Sequence, residues 1–242
     1  MGKVLFYFLV FLLSLPGFSQ KIAEEKKTKE KQKVYLDASV GAAIPLGNYA
    51  NDDPKNDATG YAKTGFYIQA NADWMGKNNF GLAFQLTYQN NSLSDLAETV
   101  YTYDTTNPLG PGNWSNIYVM AGPVFLKQFK KLAIDARVVG GFIISTSPVF
   151  KTINPETKQN EGGTATGFAL GMNIGLGYAL SQKVALKFTL GYSAGFPKRD
   201  SQTANVIGID TAGRFIYSAP VDISIKKTVS TFNTGLGVIY KF

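Results

Sequence analysis

Three features of this sequence predict an all-β fold, closed as an eight-stranded antiparallel up-and-down transmembrane β-barrel. Eight segments alternate a bulky apolar residue with a small or polar one, the period of a strand and not of a helix. Their connections alternate too: three are tight, and four are long stretches rich in Asn, Asp, Gly, Pro and Ser. The composition agrees, with 25 Gly, 13 Tyr and 17 Phe but only 17% charged residues in a chain of 242.

The chain opens on something else. Lys3, ten unbroken apolar residues from Val4 to Leu13, and the small-x-small Gly17-Phe18-Ser19 predict a secretory signal peptide over residues 1–19, cleaved before Gln20. The apolar run is short for a membrane-spanning helix, which needs about 20 residues, and Pro16 interrupts it. Residues 20–33 follow as a charged, mobile periplasmic tail, with six Lys and three Glu between positions 21 and 33. The formal net charge is +7, and losing residues 1–19 removes one lysine and leaves +6. The basic run is not interleaved with aromatic residues, so no nucleic-acid partner is predicted.

The barrel is expected over residues 34–242. Its strands are read at 34–44, 64–74, 80–88, 116–126, 132–144, 168–178, 184–192 and 228–242. The clearest is 168–178, where Phe168, Leu170, Met172, Ile174, Leu176 and Tyr178 share one face and Ala169, Gly171, Asn173, Gly175 and Gly177 the other. Gly171 and Gly175 also form a GxxxG, but so many glycines would each cost a helix about 1 kcal/mol. Residues 80–88 and 184–192 repeat the two-faced pattern. In 132–144, Leu132, Ile134, Ala136, Val138, Phe142 and Ile144 oppose Asp135 and Arg137. At 116–126 both faces are largely apolar, and the outward one is left open.

Period two does not say which face looks out, and a water-soluble exported barrel would put its bulky residues inside. Size decides: an eight-stranded lumen is just wide enough for side chains, so the Gly, Ala, Thr and Asn face fits it and the bulky face must meet lipid. Trp74, Phe80, Tyr178 and Tyr240 at the short-turn end, with Tyr88, Phe168 and Tyr192 at the loop end, supply the two expected aromatic girdles. The lipid of an outer membrane of Gram-negative type is therefore the first partner.

This assignment leaves six charged residues facing inward: Asp37, Asp73, Asp135, Arg137, Lys187 and Lys241. Three acids against three bases predict a paired ionic network closing the periplasmic side, since an unpaired charge in a narrow lumen is costly. The competing readings are a proton or ion path, or a catalytic carboxylate pair such as Asp73 with Asp135. The chain has no His and no Cys. That excludes His-dependent triads, His and Cys metal ligands, a disulfide framework and a lipidated N-terminal Cys. No nucleophile elbow is present either. No catalytic residue, cofactor or metal is assigned, and no enzymatic activity is expected.

Function is then expected on the long loops. The last, 197–227, holds Val206, Ile207 and Ile209, a turn-like Asp210-Thr211-Ala212-Gly213, and Phe215, Ile216 and Tyr217, and reads as a hairpin above the membrane. It is either an extension of the neighbouring strands or a docking surface, with a ten-stranded barrel as the lesser alternative. Tyr101, Tyr103 and Trp114 in loop 90–115, with Phe215 and Tyr217, are the candidate contacts for an extracellular ligand or protein.

Two stretches resemble a known group. ASVGAAIPLGNYA, residues 38–50, is similar to the opening strand of the small outer-membrane β-barrel superfamily of OmpA/OmpX-like proteins, where the strand ends in Pro-x-Gly, here Pro45 and Gly47. Gly237, Tyr240 and Phe242 resemble the terminal assembly signal of these barrels, Gly-x-x-aromatic-x-aromatic, which implies the barrel-assembly machinery as a partner during biogenesis. A polar residue usually stands two places before that glycine, where this chain has Gly235. No peptidoglycan-binding domain is expected after the barrel, so the anchoring role of two-domain relatives is not implied. Two roles remain: a non-enzymatic barrel that supports the envelope or binds through its loops, or a narrow passage for small, hydrophobic solutes of the kind OmpW-like relatives suggest. A lipid-modifying enzyme is the third and weakest.

Overall fold

The computed structural model describes residues 33–53, 59–94, 113–148, 163–198, 202–204, 207–209, 215–217, 221–223 and 228–242. Eight long strands form the body: β1 (Lys33–Pro45), β2 (Gly65–Met75), β3 (Phe80–Asn91), β4 (Trp114–Phe129), β5 (Leu132–Ser147), β6 (Gly163–Ala179), β7 (Val184–Lys198) and β12 (Val229–Lys241). Each pairs antiparallel with its sequence neighbour, and β12 pairs with β1 to close the barrel. All eight predicted strands are present; β2 is shifted by one residue, β12 is one residue shorter at each end, and the other six are extended by up to several residues, mostly toward the long loops.

The register sets the barrel's shape. Following paired residues from Leu36 through Ala72, Phe84, Ala121, Gly140, Leu170, Ala194 and Ser230 returns to β1 at Leu46, ten positions from the start. With a rise of about 3.3 Å per residue and strands about 4.8 Å apart, that stagger tilts the strands by about 40° and gives a backbone radius of about 8 Å.

The bulky face looks out, as the size argument requires. Phe84, Leu86, Val138, Phe142, Ile174, Leu186, Leu236 and Val238 are among the large apolar side chains exposed on the outer surface. On β6 the apolar row from Phe168 to Tyr178 covers about 33 Å of strand, or about 25 Å along the barrel axis at that tilt, the height of a bilayer's apolar band. Trp74, Phe80, Tyr178 and Tyr240 are exposed at one edge and Phe168 and Tyr192 at the other, while Tyr88 is half-buried beside Phe66. A belt of this extent has no stable home in water, and the fold is a transmembrane barrel.

The open question on β4 resolves by phase. Asn116, Tyr118, Met120, Val124 and Leu126 are buried inside, and Ile117 and Val119 face out. The lumen is thus bulkier than an all-small interior: Tyr67, Tyr118, Met120 and Ile143 also fill it. Glycines on facing strands make the room, since a Cβ at Gly235 would collide with the Tyr67 hydroxyl and one at Gly195 with Ile143.

Four short strands belong to the last loop: β8 (Gln202–Ala204), β9 (Ile207–Ile209), β10 (Phe215–Tyr217) and β11 (Val221–Ile223). β9 pairs with β10 and β8 with β11. None of them joins the barrel, so the ten-stranded alternative is not the fold. Ile207 faces Tyr217 as Gly195 faces Val229, twelve residues further out on each side, so the outermost ladder keeps the register of the β7–β12 hairpin. Ala204 opposite Val221 is shifted by one residue from that register.

Candidate functional site

Two closures occupy the lumen. The first is ionic and lies toward the short turns. Asp135 and Arg137 occupy inward positions two apart on β5, four strands round the ring from β1 and therefore across the lumen from it. Arg137 spans that gap: its Nη2 donates to Asp37 Oδ2 on β1 at 2.7 Å and to Asp73 Oδ2 on β2 at 2.6 Å, and its Nη1 lies 3.2 Å from Asp135 Oδ1. Lys187 Nζ, from β7, lies 3.0 Å from Asp37 Oδ2 and 3.4 Å from Asp135 Oδ1. All five side chains are at most 4% exposed. A Cβ at Gly175 on β6 would strike the Asp135 carboxylate and Lys187 Cε, so that glycine is a condition of the cluster.

Five of the six predicted members come together; Lys241 does not. Its ammonium lies 5.8 Å from the Tyr35 ring centroid at the barrel rim, outside the ion-pair geometry. The reason is depth. Ile239 is the last buried inward residue of β12, and a lysine two positions beyond it keeps its charge in water at no desolvation cost. The cluster is therefore three carboxylates against two cations.

Uncharged members extend it. Asn71 donates to Asp37 Oδ1 at 2.6 Å, Gln69 donates to Asn71, Thr87 donates to Gln69, and Asn173 donates to Gln85 at 2.9 Å. These residues occupy inward positions on β2, β3 and β6, and a search for inward polar residues of any kind would have found them: Gln69, Asn71 and Asp73 stand at every second position of β2, as do Gln85, Thr87, Gln89 and Asn91 of β3. Each carboxylate is engaged by a cation and at most 4% exposed. The arrangement braces opposite walls and lacks the access a general acid or base requires.

The second closure has no counterpart among the sequence expectations. After β1 the chain makes a 3₁₀ turn at Gly47–Tyr49 that drops Tyr49 into the loop-end mouth, where it is 1% exposed. Its hydroxyl donates to Asn91 Oδ1 at 3.3 Å and accepts from Asn116 Nδ2 at 3.1 Å, and Ser145 donates to Asn116 Oδ1 at 2.6 Å. Burial pushes the Tyr49 phenol above its usual range, so it stays neutral. Trp114 packs edge-on against Tyr49 at 5.4 Å and donates its indole N–H to the Gly60 carbonyl at 2.8 Å. Between the closures Gln89 donates to Thr231 and Asn233, and Asn233 donates to Ser193. Gly47 at φ +59° allows the turn, and an aromatic alone in a polar loop is the only sequence signal for it.

Trp114 therefore corrects an expectation: it is 2% exposed and serves the stopper, not a loop contact, because it falls on an inward position of β4. Phe215 and Tyr217 lie on β10, opposite Ile209 and Ile207. Tyr101 and Tyr103 lie outside the described residues, as do the expected signal peptide and all of the charged tail except Lys33. At the other end of the chain, Tyr240 and Phe242 are exposed on the lipid side, edge-on at 4.7 Å, and the Phe242 N–H donates to the Val34 carbonyl at 3.0 Å. Gly237 abuts the β1 backbone at Ala38 and Ser39.

Among solved structures the chain shares its fold with small bacterial outer-membrane barrels. The outer membrane protein OprG of Pseudomonas aeruginosa superposes with a TM-score of 0.50 at 8% identity, over 87% of this chain and 96% of that one. A major outer membrane protein of Thermus thermophilus gives 0.49 at 11% identity, over 88% of this chain and 100% of that one. Neisserial surface protein A gives 0.46 at 14% identity, over 87% and 97%. At such identities the likeness is one of fold. No protein-family model matches the chain, and no curated protein does.

Proposed function

We propose that this chain is a non-enzymatic, non-conducting outer-membrane β-barrel protein, whose body supports the envelope and whose long loops carry any binding role. The observation that supports this most is the double closure: the Asp37–Arg137–Asp73 strut near one end and the Tyr49 stopper at the other. The apolar belt and the fold shared with outer-membrane barrels support the location. Gly237, Tyr240 and Phe242 are assigned to recognition by the barrel-assembly machinery, and the charged tail to the periplasm. Loops 90–115 and 197–227 are the surfaces for an extracellular ligand or protein. The carboxylates' pairing with Arg137 and Lys187, and a sequence without His or Cys, favour the non-enzymatic reading.

Purified protein in planar bilayers tests it. The expected record is silent, and stable single-channel steps would overturn the reading in favour of a narrow passage for small solutes. Overexpression should leave lipid A and phospholipid mass spectra unchanged, and a new or missing acyl chain would establish a lipid-modifying activity instead.

A further inference from the structure

We propose that the short-turn end of the barrel carries a binding site for a phosphate group, in a vestibule ringed by Lys130, Lys131, Lys183 and Lys241. The cavity has a volume of about 490 Å³, within the range of small-ligand sites. Its lysines come from three places: the β4–β5 turn, the β6–β7 turn and the end of β12. Leu126 and Ile239 lie in its apolar floor, above the buried ionic strut, and Gln128 and Gln182 add neutral donors.

The charge is one-sided. No acidic side chain lines the vestibule, and none of these four lysines has an ion-pair partner among the described residues. Lys33 and Lys127 add to the same end, where the acids Asp73 and Asp135 are buried within the strut. Four ammonium groups around one cavity repel each other, and a phosphate group, singly charged as a diester or nearly doubly charged as a monoester, relieves that repulsion through several acceptor oxygens that can be shared among the lysines.

The turn itself points the same way. Phe129 pairs with Leu132, leaving Lys130-Lys131 as a two-residue hairpin loop, with Lys130 held at φ +50°. Glycine at the first loop position would suit that backbone far better. Lys130 thus stands where the backbone favours glycine, which fits selection for charge at this position.

The phosphate has two sources, since the site opens at the level of the aromatic edge formed by Trp74, Tyr178 and Tyr240. It is either a phospholipid headgroup of the adjacent leaflet or a soluble phosphate ester. The test uses the full chain refolded in neutral detergent micelles, with folding checked by its faster unboiled migration on a gel. Isothermal titration is run with dihexanoyl-phosphatidylglycerol, with glycerol phosphate and with dihexanoyl-phosphatidylcholine. The expected result is saturable one-to-one binding of at least one of the first two, tenfold or more tighter than the zwitterionic lipid, and weakened several-fold between 50 and 500 mM salt on the order expected from screening. Preference for the lipid over glycerol phosphate identifies the headgroup, and the reverse identifies a soluble ester. Lys130→Gln with Lys131→Gln, and separately Lys183→Gln with Lys241→Gln, should each weaken binding at least tenfold, while Lys198→Gln at the opposite end should leave it unchanged. Two independent pairs guard against a folding defect in one turn. Absence of binding by both phosphate probes, equal binding of phosphatidylcholine, or full affinity in both double variants would overturn the proposal.

Discussion

Replacing Arg137 with methionine isolates the strut that closes the lumen. The guanidinium binds three carboxylates, and among the described residues it is the sole ion-pair partner of Asp73, whose other oxygen, Oδ1, has no hydrogen-bond partner there. Lys187 reaches Asp37 and Asp135 but makes no ion pair with Asp73. In Arg137→Met, Asp73 would thus remain buried at 3% exposure without an ion-pair partner. Removing one partner of a buried ion pair costs about 3–5 kcal/mol, because the desolvation penalty stays while the attraction is lost. That is roughly two to almost four powers of ten in the folding equilibrium. Adding Asp73→Asn removes the orphaned charge, so the double variant should recover about half of the loss or more. Arg137→Lys should fall between, since one nitrogen cannot serve three carboxylates. Reversible urea unfolding in lipid vesicles, read by tryptophan fluorescence and by gel migration, measures all four proteins. An Arg137→Met loss below about 1 kcal/mol, or a double variant no more stable than the single, would refute the strut as a desolvated charge pair.

Other substitutions probe the remaining structure. Gly175→Val should be severely destabilising in the same unfolding assay, because its Cβ meets Asp135 and Lys187, whereas Gly140→Ala meets nothing nearer than a leucine methyl at 3.6 Å and should change stability little. Ile174→Arg, at mid-height of the outer belt, should cost about 2–4 kcal/mol in vesicles, and Phe168→Arg near the edge about 1 kcal/mol or less. Equal costs at the two depths would argue against a bilayer around this face. Deleting Phe242 should slow assembly in cells, seen as accumulation of the slow-migrating form, while detergent refolding of the purified chain is unaffected.

The barrel is legible in the sequence because its code is local: period-two alternation marks each strand, and the volume of an eight-stranded lumen then selects the face. Charged lumen residues are legible for the same reason, since Asp37, Asp73, Asp135, Arg137 and Lys187 break a small-residue row where they fall. Depth is not. Lys241 lies in the inward phase yet reaches water at the rim, and Trp114 lies in the inward phase of β4 although it reads as part of a loop. Both departures come from treating the strand ends as fixed, when β4 starts at Trp114 and inward burial on β12 ends at Ile239. Tyr49 escapes a sequence reading because its partners Asn91 and Asn116 are 42 and 67 residues away, and only the closed sheet brings them together.

The positions of the two closures bear on where the molecule can respond to its surroundings. Arg137 ties β5 to β1 and β2 across the lumen, and Tyr49 ties the first loop to β3 and β4. Opening a passage would separate these pairs and leave polar groups unpaired in a space lined by other side chains, which opposes gradual widening.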